Sequence, residues 1–77
     1  MAVGFVLINT VPAREHDVYN TLRGMNSVVE VHPLFGEYDL IAKIEAGDYN
    51  SLGKVVVDEM RVIPGVTNTK TLTGTKF

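Results

Sequence analysis

Eight residues near the start of the chain, Val3-Gly4-Phe5-Val6-Leu7-Ile8-Asn9-Thr10, constrain the fold more than any other stretch. They are rich in β-branched and aromatic side chains, and they are apolar on both parities instead of alternating with polar residues. Phe5 and Leu7 fall on one face and Val6 and Ile8 on the other, so both faces of this strand require cover. With 77 residues the chain has room for a single domain, 1–77, and one core. A domain of this size that contains no cysteine cannot draw on disulfides or thiolate metal sites, which leaves self-association as the expected source of additional burial.

The remaining segments follow in a fixed order. Pro12 fits the first turn of a helix whose apolar positions Val18, Leu22 and Met25 recur at steps of four and three, ending near Gly24. Val28-Val29-Glu30-Val31-His32 reads as a second strand closed by Pro33, which lacks the N–H a ladder needs. After a turn at Gly36, Leu40, Ala42, Ile44 and Ala46 alternate with Asp39, Ile41, Lys43 and Glu45, the period of a third strand. The short connection predicts antiparallel pairing of strands two and three. Asp48 is placed to cap a second helix, with Tyr49, Leu52, Val56, Met60 and Ile63 along its buried face and Pro64-Gly65 ending it. Val66 to Thr73 is the last strand.

Two strand–helix–strand units sharing one sheet, with right-handed crossovers, place both helices on the same face. The expected fold is therefore α+β: a ferredoxin-like βαββαβ sandwich with a four-stranded antiparallel sheet. Its other sheet face is bare and carries the second apolar parity of strand one, a patch that a monomer rarely exposes. The pattern predicts dimerisation through that open face.

Net charge is −2, and the seven Lys and Arg residues are scattered, so there is no basic stripe to release counterions from a phosphate backbone. No direct nucleic-acid contact is expected. No segment approaches the roughly 18 apolar residues that span a bilayer, and no leader-like segment is visible; the expectation is a cytoplasmic protein without a membrane partner. No metal or cofactor is expected, since only His16 and His32 offer imidazole. His16 lies on the polar side of the first helix, and His32 has no evident carboxylate partner. Glu15 with Asp17, and Asp58 with Glu59, are helix-surface charges with no nucleophile nearby, so no catalytic residue is assigned.

Gly36-Glu37-Tyr38-Asp39-Leu40 carries the most chemistry. A zwitterionic small molecule needs an acidic group for its ammonium and free backbone N–H groups for its carboxylate, and a glycine turn beside an aspartate offers both. The simpler alternative is that Gly36 relieves a bend while Asp39 accepts from nearby backbone donors. Tyr38 is as well suited to packing at an interface as to touching a ligand.

Phe5-Val6-Leu7-Ile8, the Val18 to Met25 helix, Val28-Val29-Glu30-Val31, the Gly36 to Leu40 turn, Asp48-Tyr49-x-x-Leu52 and Pro64-Gly65-Val66-x-x-Thr69-x-Thr71 occur in this order over nearly the whole chain. Together they resemble the amino-acid-sensing (RAM) domain of the Lrp/AsnC, or feast/famine, transcriptional regulators. Those regulators carry a helix-turn-helix domain ahead of it, whereas this sequence begins at strand one; the likeness is to a stand-alone sensing domain. The resemblance implies homodimers joined through the open sheet faces and assembled into larger oligomers. It also implies a free amino acid bound between dimers, and full-length Lrp/AsnC regulators as partners. By position it assigns ligand binding to Gly36, Tyr38 and Asp39, with Thr69 and Thr71 as hydroxyl partners from the last strand.

Three other readings share the topology. An oligomeric scaffold would keep the assembly without a ligand, and its threonines would be plain strand formers. A small enzyme of acylphosphatase or monooxygenase type fits poorly: Asn9-Thr10-Val11-Pro12 lacks an arginine-bearing phosphate loop, and no histidine-centred pocket is suggested. An ACT-like amino-acid domain would put its glycine-rich loop after strand one, whereas the informative glycine here precedes strand three.

Overall fold

The structure, a computed structural model, describes residues 1–74. Its elements run β1 (Ala2–Thr10), α1 (Glu15–Arg23), β2 (Val28–Pro33), β3 (Leu40–Ala46), α2 (Tyr49–Lys54) and β4 (Val66–Thr73), with α2 continuing as a π-helical segment over Val55–Met60. The four strands form one antiparallel sheet in the order β2-β3-β1-β4. This is the expected ferredoxin-like sandwich, with β2 and β4 as its edges.

Parity decides what each strand contributes. Ala2, Val6 and Ile8 of β1 and Leu40, Ala42 and Ile44 of β3 point to the helices and are buried, joined by Val18 and Leu22 of α1 and by Leu52, Val55, Val56, Met60 and Ile63. Full burial of a side chain of the Val, Leu or Ile type stabilises by about 1.5–3 kcal/mol. The opposite parity of β1 behaves otherwise: Phe5 is 41% exposed and Val3 and Leu7 are half-buried. Across the ladder Phe5 stands between Lys43 and Leu72, and Leu7 between Ile41 and Lys70. The open face is thus an apolar centre of Val3, Phe5, Leu7, Ile41 and Leu72 set among charged residues of three strands.

Three local expectations need correction. Pro12 is not in the first turn of α1, because the Arg14 N–H donates to the Val11 carbonyl at 3.0 Å and closes a turn with Pro12 at its second position. Ala13, at the third, has φ of 73°, the positive value a type II turn demands there. Tyr49 does not join the buried face of α2 and is exposed; at the first helical residue it lies past the Ala2–Ala46 pair that ends the β1–β3 ladder. Val55, outside the expected spacing, is buried instead. The Arg61 N–H donates to the Val56 carbonyl five residues back at 2.9 Å, and this wider turn lets adjacent Val55 and Val56 both reach the core.

The Asp48 cap forms as expected: its carboxylate accepts from the Ser51 N–H at 2.7 Å. That backbone hydrogen bond, followed by one with the Ser51 side chain, holds the Asp48 carboxyl below its usual range. A carboxyl lowered on folding contributes stability above its unfolded pKa, and the contribution is lost as pH falls through the folded value. Melting curves should therefore show wild type above Asp48→Ala at pH 7, with the gap closing below about pH 4; an equal gap at pH 7 and pH 2.5 would contradict the cap's charge dependence.

Candidate functional site in the β2–β3 loop

The loop between β2 and β3 is pinned at both ends. The Leu34 N–H donates to the Asp39 carbonyl at 2.8 Å, and the Asp39 N–H to the Ile8 carbonyl at 2.9 Å. Between these anchors the amides of Phe35, Gly36, Glu37 and Tyr38 make no backbone hydrogen bond among the described residues. Gly36 has φ of +131°, a conformation side chains rarely adopt, and a Cβ built on it would meet nothing within 4 Å. The glycine thus satisfies the backbone and leaves open space in front of it.

Asp39 takes over where the ladder stops. The last β1–β3 pair is Ile8–Leu40; beyond it the Asp39 Oδ2 accepts from the Thr10 N–H at 2.8 Å and from the Thr10 hydroxyl at 3.3 Å. The carboxylate therefore serves the end of β1, not the amides of its own turn as the simpler sequence reading had it. Thr10 is buried, so this acceptor satisfies an amide that water reaches poorly. The Asp39 Oδ1 accepts no hydrogen bond among the described residues. Tyr38 is half-buried, and its hydroxyl likewise makes no bond there.

The threonines lie elsewhere. Thr69 pairs with Ile8, which pairs in turn with Leu40, and Thr71 pairs with Val6. Thr69 is thus two strands from Leu40, about 10 Å across the sheet, and Thr71 is a further pair away from the loop. One protomer brings Gly36, Tyr38 and Asp39 together but not Thr69 or Thr71. Thr69 has a partner that the sequence reading missed: the Arg61 Nε donates to its hydroxyl oxygen at 3.0 Å, leaving the Thr69 O–H free to donate. Arg61, Val66, Thr67, Asn68 and Thr69 line a shallow hollow of about 340 Å³. The guanidinium beside a hydroxyl suits a carboxylate, and the only sequence signal was an arginine at the end of the second helix.

A larger cavity of about 500 Å³ opens between α1 and the loop. Glu15, His16 and Tyr19 form its helical wall; Pro33, Leu34 and Phe35 form the loop wall; Asp39 and Leu40 lie at the base. His16 is exposed, with its ring 6.3 Å from that of Tyr19, and Arg23 lies 5.6 Å over the Tyr19 ring. The other histidine corrects an expectation: His32 has a carboxylate partner, its Nε2 standing 3.1 Å from the Glu30 Oε1, because residues two apart on a strand share a face. Lys43 approaches the same glutamate at 3.9 Å.

Comparison with known proteins gives this arrangement a family. The family model described as the Lrp/AsnC ligand binding domain matches residues 3–75. An uncharacterized HTH-type transcriptional regulator of Pyrococcus horikoshii, PH1916, is 34% identical over 71 residues; the match covers 88% of this chain and 47% of that protein. The chain thus spans about half the length of the curated relatives it matches. Among solved structures, the hypothetical protein PHS023 from P. horikoshii is 30% identical with a TM-score of 0.91, covering 100% of this chain and 93% of that one. The transcriptional regulator NMB0573 from Neisseria meningitidis, solved as a complex with L-Met, shares the fold at 19% identity and a TM-score of 0.86, with 97% of this chain and 50% of that one covered. Among the described residues no helix is long and apolar enough to cross a membrane. By sequence and by fold, the chain belongs to the Lrp/AsnC ligand-binding domain family.

Proposed function

We propose that this domain is an amino-acid-responsive regulatory module, not an enzyme, that works as a homodimer joined through the open sheet faces and assembled further into larger oligomers. The observation that carries the reading is the pairing, in one pinned loop, of a free Asp39 Oδ1 with the unengaged amides of Phe35 to Tyr38. The Asp39 oxygen receives the α-ammonium, and the amides around Gly36 receive the α-carboxylate. A second copy supplies Thr69 and Thr71 from its β4, since one protomer holds them too far from the loop. The L-Met bound by NMB0573 supports an amino acid as the ligand class.

Net charge −2 with scattered basic residues argues that this domain does not itself grip DNA. It acts on transcription through regulators of its own family, of which PH1916 is a relative by name. One observation favours the alternative of a ligand-free scaffold: the Thr10–Asp39 bond gives the aspartate a structural task sufficient to explain it.

Amide NMR separates the two. Adding the effector to the ¹⁵N-labelled protein should shift the amides of Gly36, Glu37 and Tyr38 more than any in the helices. Saturating amino acids that leave these signals in place would favour the scaffold.

A further inference from the structure

The cavity between α1 and the β2–β3 loop shares Asp39 with the amino-acid site, on which the following inference rests, and its lining carries a selectivity of its own. At about 500 Å³ it lies within the roughly 300–1,000 Å³ of small-molecule sites, which is room enough for an amino-acid side chain. Its floor is the buried Leu40, and Leu34 and Phe35 stand exposed along the rim. An aliphatic stem lying over Leu40 and against these two side chains removes part of its apolar surface from water.

Charge sets the far end. The lining holds two carboxylates, Asp39 and Glu15, one imidazole, His16, and neither lysine nor arginine. The arginines around α1 have partners of their own: Arg14 is paired with Asp17 at 3.1 Å, and Arg23 lies over the ring of Tyr19, itself in the lining. Glu15 has no ion-pair partner among the described residues. With an α-ammonium held by Asp39, a side chain crossing the cavity reaches the wall that carries Glu15.

We propose that this cavity receives the effector's side chain and selects a long aliphatic stem ending in a cation, as in lysine or arginine. Glu15 pairs with the distal charge, and the Phe35 ring at the rim offers a face to the same cation. An acidic side chain would meet two like charges, with the His16 imidazole as the one basic group in the lining.

Lysine, methionine and glutamate have side chains of similar length and test the inference by calorimetric titration. Lysine should bind about two- to fivefold more tightly than methionine, as befits an ion pair that water still reaches, and glutamate should bind more weakly than methionine. Glu15→Gln, a change on an exposed helical surface, should bring lysine down to the affinity of methionine. Glutamate binding as tightly as lysine, methionine binding more tightly than lysine, or a lysine-to-methionine ratio untouched by Glu15→Gln would overturn the cavity's role while leaving an amino-acid site in place. No binding by any of the twenty amino acids would overturn both.

Discussion

Phe5→Lys should convert the proposed homodimer to a folded monomer. Phe5 is 41% exposed at the centre of the open sheet face, across the ladder from Lys43 on one side and Leu72 on the other. A lysine there brings a like charge opposite Lys43, which is unfavourable between paired strands, and places an unpaired ammonium in the middle of the proposed interface. A two-fold interface repeats the defect, because the same patch faces itself. Several kcal/mol for each desolvated, unpaired charge corresponds to a dimer dissociation constant raised by at least about a thousandfold. The core lies on the other parity of β1, at Val6 and Ile8, so circular dichroism should stay native. Sedimentation velocity reads the outcome directly. A variant that sediments like the native assembly would move the interface away from this face, and a native chain that is monomeric at micromolar concentration would remove it.

Asp39→Asn should weaken the amino acid's binding about ten- to a hundredfold, since a charged hydrogen bond to a partly desolvated ammonium is worth on the order of 1.5–3 kcal/mol. Asparagine is the informative replacement because its amide oxygen can still accept from the Thr10 N–H, the bond that Oδ2 makes at 2.8 Å. Asp39→Ala removes that acceptor as well, leaving the amide of a buried threonine unpaired. Alanine should therefore lower the melting temperature as well as the affinity, and asparagine chiefly the affinity. If asparagine left affinity intact while alanine lost stability, Asp39 would be a clamp on the end of β1 and no more.

Hydrophobic periodicity carried the element order, the two-faced character of β1 and the parity of β3, because each is a local pattern of period two or near 3.6. What it missed depends on contacts between distant segments. Pro12 suits a helix start and the second position of a turn equally well, and the turn is decided by where the chain leaves β1. The spacing of Leu52, Val56, Met60 and Ile63 fits an α-helix, and nothing in it marks the π-helical bond from Arg61 to Val56 that turns Val55 inward. In the candidate site, the Gly36 turn and Asp39 were visible as a motif. The Thr10 amide that Asp39 serves is 29 residues away in sequence, and no local reading reaches it. The cavity escaped notice because its walls come from α1 and a loop that only the tertiary fold brings together. His32 with Glu30 was within reach, two apart on one strand face.

Calorimetric titration of wild type and Asp39→Asn with each of the twenty amino acids decides whether this loop binds one of them. The expected result is saturable binding of at least one amino acid to wild type, about ten- to a hundredfold weaker in Asp39→Asn. No binding to the folded wild-type protein, or equal affinity for both proteins, would contradict it.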